Sequence, residues 1–316
     1  MRTTILQQKI NWVEGLKVLG ILAVILGHIG GVPWGGFIFS FHMPLFFMMA
    51  GFFIRFDLPL RDFFVKDFKR LMVPYFMFAF IGLAVEVLKR IALHRESLDY
   101  LQKIQDIVVW MDYASLTETY AFVLWFLPAL FFAKFFLAII DKYVTSYFLQ
   151  LLLILGLFNV SFYINLPFAM DEALSVMMFV FLGNILFRFF QEDLILYFLA
   201  LVLIGLYLFY GVPELDMASK KYQSLLFNVV WPLSVVCTLV LVFKKLDYMN
   251  KFLMVWGGNT MILFIVHPYT NNVAHIMVEA LNFGDWYLKF FISLILLQGV
   301  LYIKSKFQSR GLFKYV

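Results

Sequence analysis

Ten apolar runs follow one another along the chain, each near the length an α-helix needs to cross a bilayer. At about 1.5 Å per residue, ~20 residues span ~30 Å of hydrocarbon. The runs lie near 16–31, 36–56, 71–93, 120–140, 147–166, 173–190, 194–211, 225–243, 252–272 and 286–303. A spanning segment must satisfy its own backbone groups, which leaves helices or a closed barrel. Continuous runs of this length are helices. The expected fold is therefore all-α, a polytopic membrane protein with a bundle of about ten transmembrane helices. Composition agrees, at 63% hydrophobic and 14% charged with a mean hydropathy of +0.89, where soluble domains run near half and a quarter. No stretch between the runs is long enough for a soluble domain, so 1–316 reads as a single membrane domain. The residues before Lys17 are too polar for a signal peptide, and no small-residue cleavage site follows the first run, so the first helix should be retained. The lone cysteine, Cys237, excludes a disulfide framework and reads as a packing thiol.

An even number of spans puts both termini on one side. Of the 25 Lys and Arg residues, 18 fall on that side and 7 on the other. Basic residues accumulate in the cytoplasm, so both termini are expected to be cytoplasmic. The longest connection, 95–119, carries Leu98, Leu101, Ile104, Val108 and Met111 at helical spacing. It reads as a helix on the outer membrane surface, with Trp110 and Tyr113 at headgroup level. The alternative is packing over the mouth of the bundle as a lid. Pro268, inside the ninth run, suggests a break there.

Ionisable side chains at bilayer depth are costly, so each is a candidate for function. His28 lies eleven residues beyond Lys17, ~16 Å along the first helix and just past mid-bilayer. His42 follows on the second run, beyond a glycine-rich turn (Gly30, Gly31, Gly35, Gly36), which makes the two histidines neighbours. His267 shares the ninth run with Asn259 and Thr260, and its depth again falls in the outer half. An imidazole is a base near neutral pH, and the cost of charging it in lipid keeps it neutral until it takes a proton. The bland reading of His28, a histidine tying two helices together, stands beside that one. Lys17, Lys66, Lys69 and Arg70 gather at the inner face, where a basic cluster is also ordinary topology signal. Glu86 stands alone in the third run. Asp171 and Glu172, at the outer edge of the sixth, read as solvated. There is no phosphate-binding loop, dinucleotide fingerprint, nucleophile elbow or zinc spacing, so neither a metal nor a nucleic acid is expected.

Six segments, in order, carry a resemblance: WVEGLKVLGILAVILGH, FSFHMPLFFMMAGFF, FKRLMVPYF, LWFLPALFF, DEALSVMMFVFLGN and WGGNTMILFIVHP. Together they span nearly the whole chain, with the motif-bearing region at 11–272, and resemble the integral-membrane acyltransferase 3 family, in particular its fucose 4-O-acetylase-like branch. The resemblance implies a bacterial inner-membrane enzyme, an O-acyltransferase. Such an enzyme moves an acyl group, usually acetyl, from cytoplasmic acyl-CoA to a hydroxyl of a cell-surface or lipid-linked saccharide. No bound cofactor is implied; acyl-CoA is the donor, and membrane lipids surround the protein.

The family's cation–ten–histidine pattern maps onto Lys17 and His28, making His28 catalytic, with His42 in support and His267 and Asn259 as further candidates. Its paired arginines before the third helix map onto Lys66 and Lys69, or onto Asp67 and Arg70. The first mapping loses both arginine forks and the second loses one. Lys17, Lys66, Lys69 and Arg70 are then the donor-binding cations. Glu14 stands where relatives often carry Asp, and the soluble esterase-like domain fused to some relatives is absent. A transporter or flippase of a lipid-linked sugar would also line a cavity with His and Asn, which accounts for the polarity but not for the ordered motifs. Nothing positive favours a non-catalytic sensor or assembly subunit.

Overall fold

The computed structural model describes residues 11–189, 193–246, 254–282 and 284–307. The ends of the sixth and start of the ninth expected runs (Phe190, Phe252), and the inner-side residues Arg2, Lys9, Lys251, Arg310 and Lys314, lie outside them. The protein is an all-α, multi-pass bundle whose described strands are one short hairpin. Six described helices or helix pairs are long and apolar enough to cross a membrane: Gly35–Phe52, Leu60–Ala92, Phe122–Tyr143, Pro167–Leu186, Leu225–Lys245 and Trp286–Phe307.

In chain order, α1 is Asn11–Gly27, α2 Gly35–Phe39 and α3 His42–Phe52. The second apolar run is thus two helices, broken at Ser40. The Trp231 indole donates to Ser40 Oγ (2.9 Å), which itself donates to Phe37 O (2.7 Å). That staple fixes the angle at which α3, and with it His42, enters the bundle.

The third run is longer than its apolar part. Leu60–Asp67 (α4) and Val73–Ala92 (α5) join through a π-helical turn at Phe68–Met72 that holds Lys69 and Arg70. Then come α6 (Tyr100–Gln105), α7 (Tyr113–Leu116), α8 (Phe126–Tyr143), α9 (Tyr147–Val160), α10 (Met170–Phe189) and α11 (Asp193–Tyr210). The hairpin β1 (Leu215–Asp216) and β2 (Lys221–Tyr222) precedes α12 (Leu225–Lys245), α13 (Met254–Gly257), α14 (Thr260–Ala280) and α15 (Trp286–Phe307). The fifth run ends as helix at Val160, six residues earlier than expected, where Ser161 bonds back to Phe158 O (2.6 Å).

The tightest crossing joins α3 to α10. A Cβ at Gly51 would sit 2.0 Å from Val180 O, and one at Gly183 2.0 Å from Met48 O. Helices in lipid gain little hydrophobic drive for association, so close backbone approach through small residues carries the packing. Asn184 adds a hydrogen bond to Gly51 O (3.3 Å).

Three expectations are corrected. The 95–119 segment does not present its apolar residues as one stripe. Leu98, Ile107, Met111 and Leu116 are buried while Leu101, Ile104 and Val108 face out, and a π-turn at Asp106–Trp110 interrupts the helical register. Tyr75 donates to Ile107 O (2.9 Å), and Lys103 pairs with Asp106 (3.0 Å) and Glu118 (2.7 Å). The hydrogen bond from Lys103 holds the Glu118 carboxyl below its usual range. The Tyr75 bond packs the segment against α5.

Asp171 and Glu172 are buried rather than solvated. Left-handed turns at Phe168 (φ +65°) and Ala169 (φ +52°) fold them inward. There Asp171 pairs with Lys220 of the hairpin, a partner 49 residues away in sequence, and accepts from Leu166 N (3.1 Å). Finally, the ninth run breaks at Gly257–Asn259, and α14 continues through Pro268. Glu86 proves to be paired, with Lys89 and Arg90.

Candidate functional site

Three histidines meet inside the bundle. The His28 ring centroid lies 5.0 Å from that of His267 and 6.4 Å from that of His42. His28 follows the last residue of α1, just before the chain turns at Gly31 (φ +85°). His42 opens α3 and His267 sits mid-way along α14.

Each ring is held in the same way. His28 Nδ1 lies 2.8 Å from Val24 O, His42 Nδ1 2.8 Å from Ile38 O and His267 Nδ1 2.7 Å from Phe264 O. A carbonyl only accepts, so every Nδ1 carries a proton and donates it, and in the neutral ring each Nε2 keeps its lone pair. At His267 the bond has a second consequence. Pro268 lacks the N–H that would reach Phe264 O, and the imidazole takes its place, which lets the helix pass through the proline.

Exposure separates the three. His42 and His267 are buried, and His267 Nε2 has no hydrogen-bond partner among the described residues. His28 is partly open and lines two cavities. An outer chamber of about 200 Å³ is walled by His28, His42, Tyr113, Trp125, Asp216 and Phe264 among others. A side chamber of about 390 Å³ runs from His28 past Tyr120, Asn271 and Asn272 to Lys289.

Asn271 ties the walls together. Its amide donates to Ile25 O of α1 (3.0 Å), its oxygen accepts from Ser293 of α15 (2.6 Å), and Thr270 contacts the same hydroxyl (2.8 Å). This network fixes α14, and so His267, against the end of α1 that carries His28.

A third cavity, also about 200 Å³, holds Lys17, Arg70 and Lys134 and reaches Phe126 and Phe264. Phe264 is therefore a shared wall between this inner cavity and the outer chamber. Lys17 pairs with Glu14 (2.7 Å), and the buried Lys134 pairs with Asp67. Arg70 makes no ion pair among the described residues. Two carboxylates thus offset two of the three cations and leave one uncompensated positive charge.

The sequence-derived candidates divide accordingly. His28, His42 and His267 are brought together, as are Lys17 and Arg70. Lys66, Lys69 and Arg70 are all exposed, but of these only Arg70 lines one of the three cavities. Asn259 stands apart from the histidines, its amide bonded to Val255 O (2.7 Å), eight residues or ~12 Å down α14 from His267. Lys134, Asn271 and Asp216 belong to the site without having been singled out, and Tyr113, read from sequence as a headgroup-level ring, lines the outer chamber. Lys134 was visible as a cation amid an apolar run; Tyr113 and Asp216 arrive on loops distant in sequence. Among the described residues, no three His, Cys, Asp or Glu side chains form a metal-binding group.

The fold and site define an integral, multi-pass membrane protein with an internal cluster of imidazoles. A family model described as an acyltransferase domain matches residues 10–303, nearly the whole chain. The chain belongs to that family, acyltransferase 3, and is a membrane acyltransferase. No curated protein and no solved structure matches it.

Proposed function

We propose that the protein is an O-acyltransferase that moves an acyl group, acetyl in the simplest case, from acyl-CoA to a saccharide hydroxyl. The observation that carries this reading is the position and tautomer of His28. Its Nδ1–H is locked to Val24 O, its Nε2 is free to accept a proton, and its ring forms a wall of two outer cavities.

Acyl-CoA is a polyanion with a long, thin arm. Its phosphates suit the cavity of Lys17, Arg70 and Lys134, since charge-assisted contacts to phosphate are among the stronger hydrogen bonds. The arm then rises toward Phe264. His28 Nε2 removes the proton of the acceptor hydroxyl as that oxygen attacks the thioester carbonyl. The new C–O bond forms, the C–S bond breaks, and the thiolate leaves with the proton held on His28. His42 and His267 support the ring in this arrangement.

The reading places ten spans in a bacterial inner membrane, with both termini and the inner cavity on the cytoplasmic side. The acceptor is a cell-surface or lipid-linked glycan. Purified protein incubated with acetyl-CoA tests it. The reading expects slow CoA release without acceptor, faster release with one, and loss of both in His28→Gln. A flippase of lipid-linked sugars releases no CoA.

A further inference from the structure

The outer chamber has a chemistry distinct from the other two cavities. The inner cavity contains lysine and arginine, and the side chamber contains Lys289. The outer chamber carries no lysine or arginine, and its one carboxylate is Asp216. The hairpin holds that side chain firmly: Asp216 Oδ1 accepts from Ala218 N (3.1 Å) and Ser219 N (3.2 Å). Asp216 Oδ2 accepts no hydrogen bond among the described residues. The loop itself is pinned to the bundle, because Lys220 pairs with Asp171 and Asn228 donates to Glu214 O (2.9 Å). Phe39, Tyr113, Phe122 and Trp125 line the same chamber as the carboxylate, with His28 on the wall.

A fixed carboxylate with a free oxygen, set among aromatic rings, suits a ligand with an apolar C–H face and a rim of hydroxyl donors. A pyranose has both. It also repels a second negative charge, since like charges juxtaposed at a binding surface cost several kcal/mol. The volume, about 200 Å³, falls below the ~300 Å³ where drug-sized pockets begin, which fits one ring.

We infer that the outer chamber is an acceptor subsite for a single uncharged sugar residue, and that Asp216 selects it over an acidic sugar. The inference rests on the acyl-transfer reading and names the class of its acceptor.

The test uses full-length protein in nanodiscs with acetyl-CoA and paired acceptor probes. These are the methyl glycosides of glucose, galactose and mannose, each beside the methyl glycoside of its uronic acid. Acetylated glycoside is read by mass and released CoA by its thiol. At least one neutral glycoside should be used with an efficiency about tenfold or more above that of its uronate. In Asp216→Asn that ratio should shrink to within about threefold. The ratio is taken within one preparation, so a lower yield of folded protein cancels. If Asp216→Asn cannot be isolated, Asp216→Ser, which also caps the turn, serves instead.

Equal or better use of the uronate by the unaltered protein overturns the inference. So does a ratio that survives the substitution, or CoA release with none of the glycosides acetylated. An unaltered protein that releases no CoA under any condition overturns the acyl-transfer reading, and this inference with it.

Discussion

The inner cavity and the outer chamber share a wall at Phe264 yet handle polarity in opposite ways. In the inner cavity, cations are balanced by carboxylates: Glu14 beside Lys17 and Asp67 beside Lys134, with Arg70 left over. Burying a charge is costly unless it is paired, and paired charges are poor bases. In the outer chamber the His28 and His42 rings are held through Nδ1 by backbone carbonyls instead, which puts the lone pair of each neutral ring on Nε2. One region can hold a polyanion and the other can accept a proton. On the proposed reading, binding and chemistry are kept on opposite sides of an aromatic wall.

The largest expected effect comes from breaking the frame that holds both regions. Gly183→Val places side-chain atoms against Met48 O and should abolish folded protein, read as loss of a monodisperse peak in detergent. A variant that elutes normally and stays active would show that the α3–α10 crossing is not needed to align the site.

Next is the base. His28→Gln keeps size and hydrogen bonding but loses basicity, so acyl transfer should fall about 100- to 10,000-fold while expression holds. His42→Gln and His267→Gln should be impaired yet measurable. If instead His28→Gln is active and His28→Ala simply fails to express, the histidine is structural and the comparison between the two regions collapses.

Smaller effects fall on the inner cavity. Arg70→Ala should raise the KM for acyl-CoA about tenfold, in line with loss of one charge-assisted contact worth about 1.5 kcal/mol. Lys134→Met alone strands the buried Asp67, and losing one partner of such a pair is destabilising by about 3–5 kcal/mol. The Lys134→Met, Asp67→Asn double variant is therefore the informative one, and it should also show a raised KM with kcat less affected. An unchanged KM in that variant would remove Lys134 from the donor site. Least affected should be Lys66→Ala and Lys69→Ala, within about twofold, because neither lines the inner cavity. A tenfold loss in either would place the donor outside the cavity described.

Much of this was legible in the chain, and the misses have physical causes. The nearness of His28 and His42 followed from a short turn between two apolar runs, whereas the contact of His267 with His28 needed the packing of α14 on α1. Lys134 was counted only as a topology charge, although a lysine eight residues into an apolar helix already marked a buried partner. Asp67 was its partner, and only the packing of α4 on α8 reveals it. Pro268 pointed to a helix break because proline removes a donor, but a neighbouring imidazole replaced that donor and the break moved to Gly257–Asn259. The 95–119 segment defeated periodicity. The stripe read from Leu98 to Met111 points two ways, and a π-turn at Asp106–Trp110 interrupts its register. Asp216 gave no local signal, since its meeting with His28 depends on a hairpin folded over from the other half of the chain.

The central claim is that donor and acceptor approach His28 from opposite faces of the membrane, and sided proteoliposomes test it most directly. Protein is reconstituted in sealed vesicles and its orientation fixed by membrane-impermeant labelling of a cysteine at the exposed Lys66 position. Acetyl-CoA is then supplied on one side only and the glycoside acceptor on the other. The account predicts acetylated glycoside when acetyl-CoA is on the Lys66 side and acceptor opposite, and little when the two are exchanged or placed together. Equal transfer with both substrates on one face would contradict it.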